Sequence, residues 1–281
     1  MIRYFFIIFI NTIFGLGIEA ISLPHNALEI ASSNSGLANS KNIGFNFSNI
    51  NNLTKGFNIS SISWYQDVKG GNIEYKWGQT KHHYLSLYNL SADDIDLRYL
   101  TPSEDPIDVF DIHHISLAYG FGTTIFNNWR AGAKTSIIYN QLYTDESVGY
   151  NLDLGISYDY NHLVSLGLAI NQLGSEKIEG SYVSYPLQAG FGLTFNLNQL
   201  YSHIHTDIIY NESLPNDIVW KLSSTTQLPY LNIITGYNYS ESKSEFSCGL
   251  SFNYRKFQFN YGIAFHQALG TPVIFSLKYH I

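Results

Sequence analysis

From Phe57 to the end of the chain, apolar and polar residues alternate with a period of two. In 148–159 the residues Val148, Tyr150, Leu152, Leu154, Ile156 and Tyr158 fall on one face, and Gly149, Asn151, Asp153, Gly155, Ser157 and Asp159 on the other. The segments 129–140, 164–171, 187–196, 245–254 and 257–266 repeat the pattern. A period of two is the signature of a β-strand with two unlike faces, because successive side chains point to opposite sides of a sheet. Fourteen such runs begin near residues 57, 70, 81, 110, 127, 148, 162, 186, 200, 217, 230, 244, 257 and 272.

The polar face is the informative one. A soluble sandwich hides an apolar face and covers the other with Lys and Glu. Here the polar face is Gly, Ser and Asn with an occasional charge, and aromatics stand at the ends of the apolar face, as at Tyr150 and Tyr158 or Trp129 and Tyr139. That is the arrangement of a transmembrane β-barrel with lipid outside and a polar lumen inside. A ten-residue strand rises about 33 Å and, when tilted, crosses an apolar band of about 25 Å. An even number of strands lets the first and last pair antiparallel. The connections 78–81, 159–162, 197–200, 227–230 and 254–257 are tight, whereas 91–109, 174–185, 211–216 and 240–243 are longer. This fits short turns on one rim and loops on the other; 121–126 is long for a turn. The fold class expected is all-β, an antiparallel transmembrane barrel of about 14 strands.

Residues 1–55 follow a different rule. Residues 1–20 (MIRYFFIIFINTIFGLGIEA) have the form of an export signal, with Arg3 before an apolar stretch and a cut after Gly17 or Ala20. An uncleaved anchor is the alternative, although the apolar stretch is short for a helical span. Residues 21–55 lack strand alternation. Pro24 to Ser33 can form one short helix, and Asn, Ser and Gly dominate beyond it.

Composition removes other classes. Charged residues make up 13 %, against a usual share of about 25 %. Aromatics make up 16 %, which excludes a disordered chain. One cysteine excludes a disulfide scaffold. A net charge of −7 with 15 Lys and Arg argues against nucleic acid as a partner. The mean hydropathy of −0.07 argues against a helical membrane protein.

Two blocks carry a family likeness. ALEIASSNSGLANSKNIGFNFSNINNLTKGFNISSISWYQDV (27–68) resembles the start of the PorV/PorQ-like outer-membrane family, itself similar to FadL-type transporters. Within it NINNL (49–53) stands for the family's Asn-Pro-Ala-Gly-Leu element, keeping the first Asn and the Leu. Trp64 and Asp67 match the end of a strand. The block 132–174 resembles the family's middle hairpins at Gly132, Lys134, Tyr139, Asp153, Gly155 and Asn171. The last strand presents Val273, Phe275, Leu277, Tyr279 and Ile281 on one face, similar to the C-terminal assembly signal of bacterial outer-membrane barrels, although Ile281 stands where Phe or Trp is usual. The resemblance implies residues 21–55 as an N-terminal plug, residues 56–281 as the barrel, and location in the bacterial outer membrane. It implies an accessory of type IX protein secretion, with machinery or cargo proteins as partners. The alternative is a FadL-like transporter, with a hydrophobic small molecule as partner. Membrane lipid is a partner in both.

Candidate chemistry is sparse. His82-His83 and His113-His114 are neighbours on strands and so face opposite ways. His203, His205 and Asp207 share a face, which either forms a zinc or copper stripe or is a polar lumen stripe. Cys248 lies on the apolar face. His114 and Ser116 share a face, but no nucleophile motif or phosphate-binding loop is present, so neither catalysis, a metal nor a cofactor is expected. Arg130 and Lys134 face inward on one strand, and Asp153 and Asp159 on the next; buried charges pair, with one another or with the plug. With Phe45 and Phe47, which either line a pocket or pack the plug, these are the candidate lumen and plug contacts. The loop 91–109 is acidic, with Asp93, Asp94, Asp96, Glu104, Asp105 and Asp108 against Arg98.

Overall fold

Among the described residues the alternation becomes structure as sixteen antiparallel strands. In this computed structural model, residues 20–65, 68–97, 106–178, 180–212, 218–241, 244–266 and 270–281 are described. Residues 1–19 of the expected export signal 1–20, Asp67, and Arg98, Glu104 and Asp105 of the acidic loop lie outside them. The strands are β1 (Gly56–Ser63), β2 (Lys69–Gly78), β3 (Lys81–Leu97), β4 (Asp108–Phe126), β5 (Trp129–Leu142), β6 (Asp145–Asp159), β7 (Val164–Asn171), β8 (Ser175–Ile178), β9 (Ser181–Ser184), β10 (Gln188–Leu197), β11 (Ser202–Asn211), β12 (Ile218–Gln227), β13 (Leu231–Tyr239), β14 (Ser244–Tyr254), β15 (Phe257–Phe265) and β16 (Val273–His280).

Each strand pairs with its sequence neighbour, except that β7 pairs with β10, and β8–β9 is a hairpin lying on the upper end of β6. Setting that hairpin aside leaves fourteen strands. They close, because β1 pairs with β16 in register from Gly56↔His280 to Ser63↔Val273. Closure matters in lipid, where an open edge would leave unpaired backbone N–H and C=O groups.

The faces fall as the alternation requires. Val148, Tyr150, Leu152 and Leu154 of β6 are exposed on the outside, while Asn151, Asp153 and Ser157 are buried inside. At the outer ends, Trp129 stacks near Tyr158 with ring centroids 4.6 Å apart. Among the described residues no helix is long and apolar enough to cross a membrane.

Three expected connections differ. Both ends of the loop expected at 91–109 are strand, because β3 runs to Leu97 and β4 begins at Asp108. The stretch 121–126 is strand rather than turn: β4 runs to Phe126, and a register shift between Thr124 and Phe126 accommodates one extra residue. That bulge breaks the alternation and made a two-residue turn at 127–128 read as a long one. The expected loop 174–185 contains β8 and β9. Four-residue strands are too short for alternation to reveal them.

The face assignment predicts a mutational effect. Leu168 lies mid-strand in β7 and is 54 % exposed on the outer wall. Leu168→Arg should cost about 2–4 kcal/mol if it sits near the bilayer midplane. Urea unfolding of barrels folded into vesicles would measure this, and an unchanged midpoint would show the face assignment to be wrong.

Residues 20–55 fill the lumen. Helix α1 (Ala27–Ala31) packs on β13 to β16, and a 3-10 helix (Phe47–Asn52) on β3 to β6. The predicted helix is thus present but shorter than 24–33. It starts at Asn26, whose side chain accepts from the N–H groups of Leu28 and Glu29.

Candidate functional site

The inner-face glycines make the plug's seat. A Cβ on Gly155 would lie 1.9 Å from Asn46 Oδ1, and one on Gly167 would lie 2.3 Å from the carbonyl oxygen of Leu37. On the far wall, a Cβ on Gly262 would meet the carbonyl oxygen of Ala27 at 2.2 Å. The polar face of the strands is therefore small as well as polar, because backbone of the plug lies directly on it.

Polar anchors hold the plug there. Asn46 caps the 3-10 helix through Ser48 N–H, and its amide donates to the carbonyl of Leu37 at 2.6 Å and, on the adjoining β6 wall, to that of Ile156 at 3.1 Å. Asn49 donates to the carbonyl of Gly36 at 2.9 Å and accepts from Ser40 N–H at 3.2 Å. Asp207 on β11 accepts from the N–H of Gly36 at 2.6 Å and of Leu37 at 3.3 Å. Lys76 on β2 donates to the carbonyls of Ile50 and Leu53.

Of the candidate residues, Arg130 and Asp159 form an ion pair at 2.7 Å, and Lys134 and Asp153 another at 2.9 Å. Arg130 also reaches the plug, donating to Asn52 Oδ1 and to the carbonyl of Ala38. Asp153 accepts from Gln172 N–H and Asn151 Nδ2, both at 2.9 Å. These four residues come together in two pairs along β5 and β6, one level above the other. Phe47 belongs to a cluster with Ile43, Ile50 and Tyr84, and Phe45 to one with Leu37, Ala169 and Ile209. Both also line a cavity of about 60 Å³ between the plug and the wall, beside Leu23, His25, Glu29, Lys134 and Asp153.

The histidine stripe has other partners. His203 Nδ1 lies 2.7 Å from Asn196 Oδ1, and His205 Nδ1 2.8 Å from Thr194 Oγ1. With Asp207 occupied by plug amides, the stripe serves as plug-facing lumen wall. Among the described residues no cluster of three or more His, Cys, Asp or Glu could hold a metal. His114 lies 2.5 Å from Asn140 Oδ1, and His83 lies 2.8 Å from the Tyr119 hydroxyl on the outside.

Asn46, Glu29 and Lys76 were not singled out by the sequence. Asn46 precedes FSNINN, an Asx-cap signal that alternation does not register. Glu29 is the carboxyl group at the centre of the plug. Its carboxylate accepts from His25 N–H at 2.8 Å and Asn26 Nδ2 at 2.9 Å. Burial, helped by the negative charge of Glu74, pushes its pKa up from 4.5 to about 7. Burial, and then Lys134, holds the stacked His25 imidazole down from 6.5 to about 3.

The two shifts act on stability with opposite sign. Between pH 4.5 and 7 folded Glu29 keeps a proton that the unfolded chain has lost, so its contribution falls as pH rises. Between pH 3 and 6.5 folded His25 refuses a proton that the unfolded chain takes, so its contribution rises with pH. The two oppose each other where the windows overlap. Glu29→Gln should therefore gain stability relative to the parent as pH rises through that overlap and on to about 7. Thermal unfolding of both proteins at matched pH would show it, and a parent-to-variant difference independent of pH would refute it.

No family model matches the chain, and no curated relative matches it. Solved structures do match in fold. The P. putida toluene transporter TodX aligns with a TM-score of 0.70 at 11 % identity, covering 91 % of this chain and 98 % of that one. The Ralstonia pickettii toluene transporter TbuX gives 0.68 at 9 % identity, with 91 % and 98 % covered. A Pseudomonas aeruginosa FadL homologue gives 0.59 at 11 % identity, with 92 % and 99 % covered. Of the two groups that the sequence resembles, these neighbours stand with the FadL type.

Proposed function

We propose that this barrel is an outer-membrane transporter that passes hydrophobic small molecules and carries out no catalysis. The observation that supports this most is the lumen. It is filled by the chain's own N-terminal segment, and the plug residues Leu23, Ile43, Phe45 and Phe47 bring apolar surface to a cavity against the wall that His25, Glu29, Lys134 and Asp153 also line. The likeness in fold to toluene transporters and to a FadL homologue favours this reading over the type IX secretion accessory that was expected first.

The cavity also says what passage requires. It measures about 60 Å³, whereas an engineered apolar cavity that binds benzene measures about 150 Å³. A monoaromatic molecule therefore needs the plug to shift. Ser33 Oγ of the plug lies 2.8 Å from Ser247 Oγ of β14, which offers a lock. In a Cys248→Ser background, Ser33→Cys with Ser247→Cys should oxidise to a disulfide. Uptake of labelled toluene by vesicles carrying the oxidised protein should fall to that of empty vesicles and return on reduction. Parent protein that takes up no more toluene than empty vesicles would refute the transport reading. Uptake unaffected by a formed disulfide would refute the need for the plug to shift.

A further inference from the structure

The cations of the tight-turn rim gather in one sector of the barrel. Lys55 precedes β1, Lys81 opens β3, and Arg255 and Lys256 form the turn between β14 and β15. These strands are neighbours, since β3, β2, β1, β16, β15 and β14 pair in that order. The end of β16 lies between two of the lysines. Ile281 N–H donates to the carbonyl of Lys55 at 3.2 Å, and His280 N–H to that of Lys256 at 2.8 Å. The other turns of this rim, at 127–128, 160–163, 198–201 and 228–230, hold no Lys or Arg. Arg130, beside the first of them, faces inward and is paired with Asp159.

The sector faces lipid. On its outer wall Phe257, Tyr279, Phe57 and Tyr75 stand directly opposite one another across β15, β16, β1 and β2. Phe57 stacks on Tyr75 with ring centroids 4.3 Å apart, and Phe257 lies 5.2 Å from Tyr279. Nearer the rim, Trp77 stacks on Tyr75 at 5.2 Å and on His83 at 5.3 Å. Amphipathic rings of this kind sit at the head-group level of a bilayer. The cations rest on them: Lys256 Nζ lies 5.9 Å from the Tyr279 ring, and the Arg255 guanidinium 5.5 Å from that of Tyr254. By alternation Lys81 shares the outer face of His83 and Leu85, and Lys55 that of Phe57. Among the described residues none of the four cations makes an ion pair.

We propose that this sector of the outer wall binds membrane phospholipids that carry an anionic head group. Tight turns mark the periplasmic rim of such barrels, so the lipids are those of the periplasmic leaflet. The rings support the upper acyl chains, and Lys55, Lys81, Arg255 and Lys256 meet the head groups. Clusters of cations at a membrane boundary select anionic lipid in this way. A partner in the water beneath the rim is disfavoured, because Arg255 and Lys256 lie against rings of the lipid-facing wall. The inference concerns the outside of the barrel and does not rest on the transport reading.

Quenching of tryptophan by brominated lipids tests this in the full folded chain. A protein keeping only Trp77 (Trp64→Phe, Trp129→Phe and Trp220→Phe) is folded into phosphatidylcholine vesicles. These contain a fixed share of either dibrominated phosphatidylglycerol or dibrominated phosphatidylcholine. Trp77 should favour the anionic lipid by about fivefold, the weight of one cation beside an anionic surface. Trp220 stands on the lipid face of β12 near the opposite rim, 52 % exposed. Kept as the only tryptophan instead, it should show no such preference. Lys55→Gln, Lys81→Gln, Arg255→Gln and Lys256→Gln together should abolish the preference at Trp77 while the heat-modifiable band of a folded barrel remains. With all four cations in place, salt at about 1 M, where the screening length is about 3 Å, should also weaken it. Equal quenching of Trp77 by the two lipids, an equal preference at Trp220, or a preference at Trp77 that survives both the substitutions and the salt would overturn the proposal.

Discussion

A chain lacking residues 277–281 should fail to assemble and remain protease-sensitive, without the heat-modifiable band of the parent. The truncation removes four pairs with β1, from Ile59↔Leu277 to Gly56↔His280, and three with β15, from Phe259↔Leu277 to Phe257↔Tyr279. β16 is the strand that closes the ladder, so both neighbours would acquire an open edge. In lipid each unsatisfied backbone group costs several kcal/mol, and the loss exceeds the roughly 5–15 kcal/mol that separates folded from unfolded domains. The same segment carries the outward face of Leu277, Tyr279 and Ile281. Tyr279→Asp should therefore also accumulate unassembled, through the lipid face alone, while keeping every backbone pair. Ile281→Phe should assemble at least as well as the parent. Normal insertion of the truncated chain would show that the barrel closes without this strand's lower half.

The barrel is legible in the sequence because lipid outside and plug inside impose one rule on every strand. β6 shows this best: its apolar positions face lipid, and its small and polar positions face the plug. The same rule explains its failures. A bulge at 124–126 shifts the register, and the alternation then misreports where β4 ends.

The plug obeys no period, so its contacts leave no trace of that kind. Asn46 meets Ile156 and Ser157 across more than a hundred residues of chain. Asp207 was visible as the end of a His-x-His-x-Asp stripe. Its partners are backbone N–H groups of Gly36 and Leu37, which no side-chain pattern can announce. The ion pairs fared better. Arg130, Lys134, Asp153 and Asp159 stand out because charge is rare in this chain. The register Lys134↔Asp153 places one pair directly opposite, while Asp159 reaches Arg130 from beyond its register partner Ser157.

Lys134→Met should destabilise the protein by about 3–5 kcal/mol, the cost of stranding a buried charge. Lys134 and Asp153 keep 19 % and 10 % of their side-chain surface, so little water is at hand to replace a lost partner. Without the ammonium, Asp153 is left with Gln172 N–H and the Asn151 amide as donors. Asp153→Asn should cost less. It keeps an oxygen for Gln172, and the Lys134 ammonium still feels the negative charge of Glu74. The double variant Lys134→Met with Asp153→Asn removes both charges and leaves the acceptor in place. Its cost should fall clearly below that of Lys134→Met alone, which a sum of independent effects cannot produce. Urea unfolding in vesicles of the parent, the two single variants and the double variant closes the cycle. Strictly additive costs would show that the two side chains, though 2.9 Å apart, are each held by the plug and wall rather than by one another.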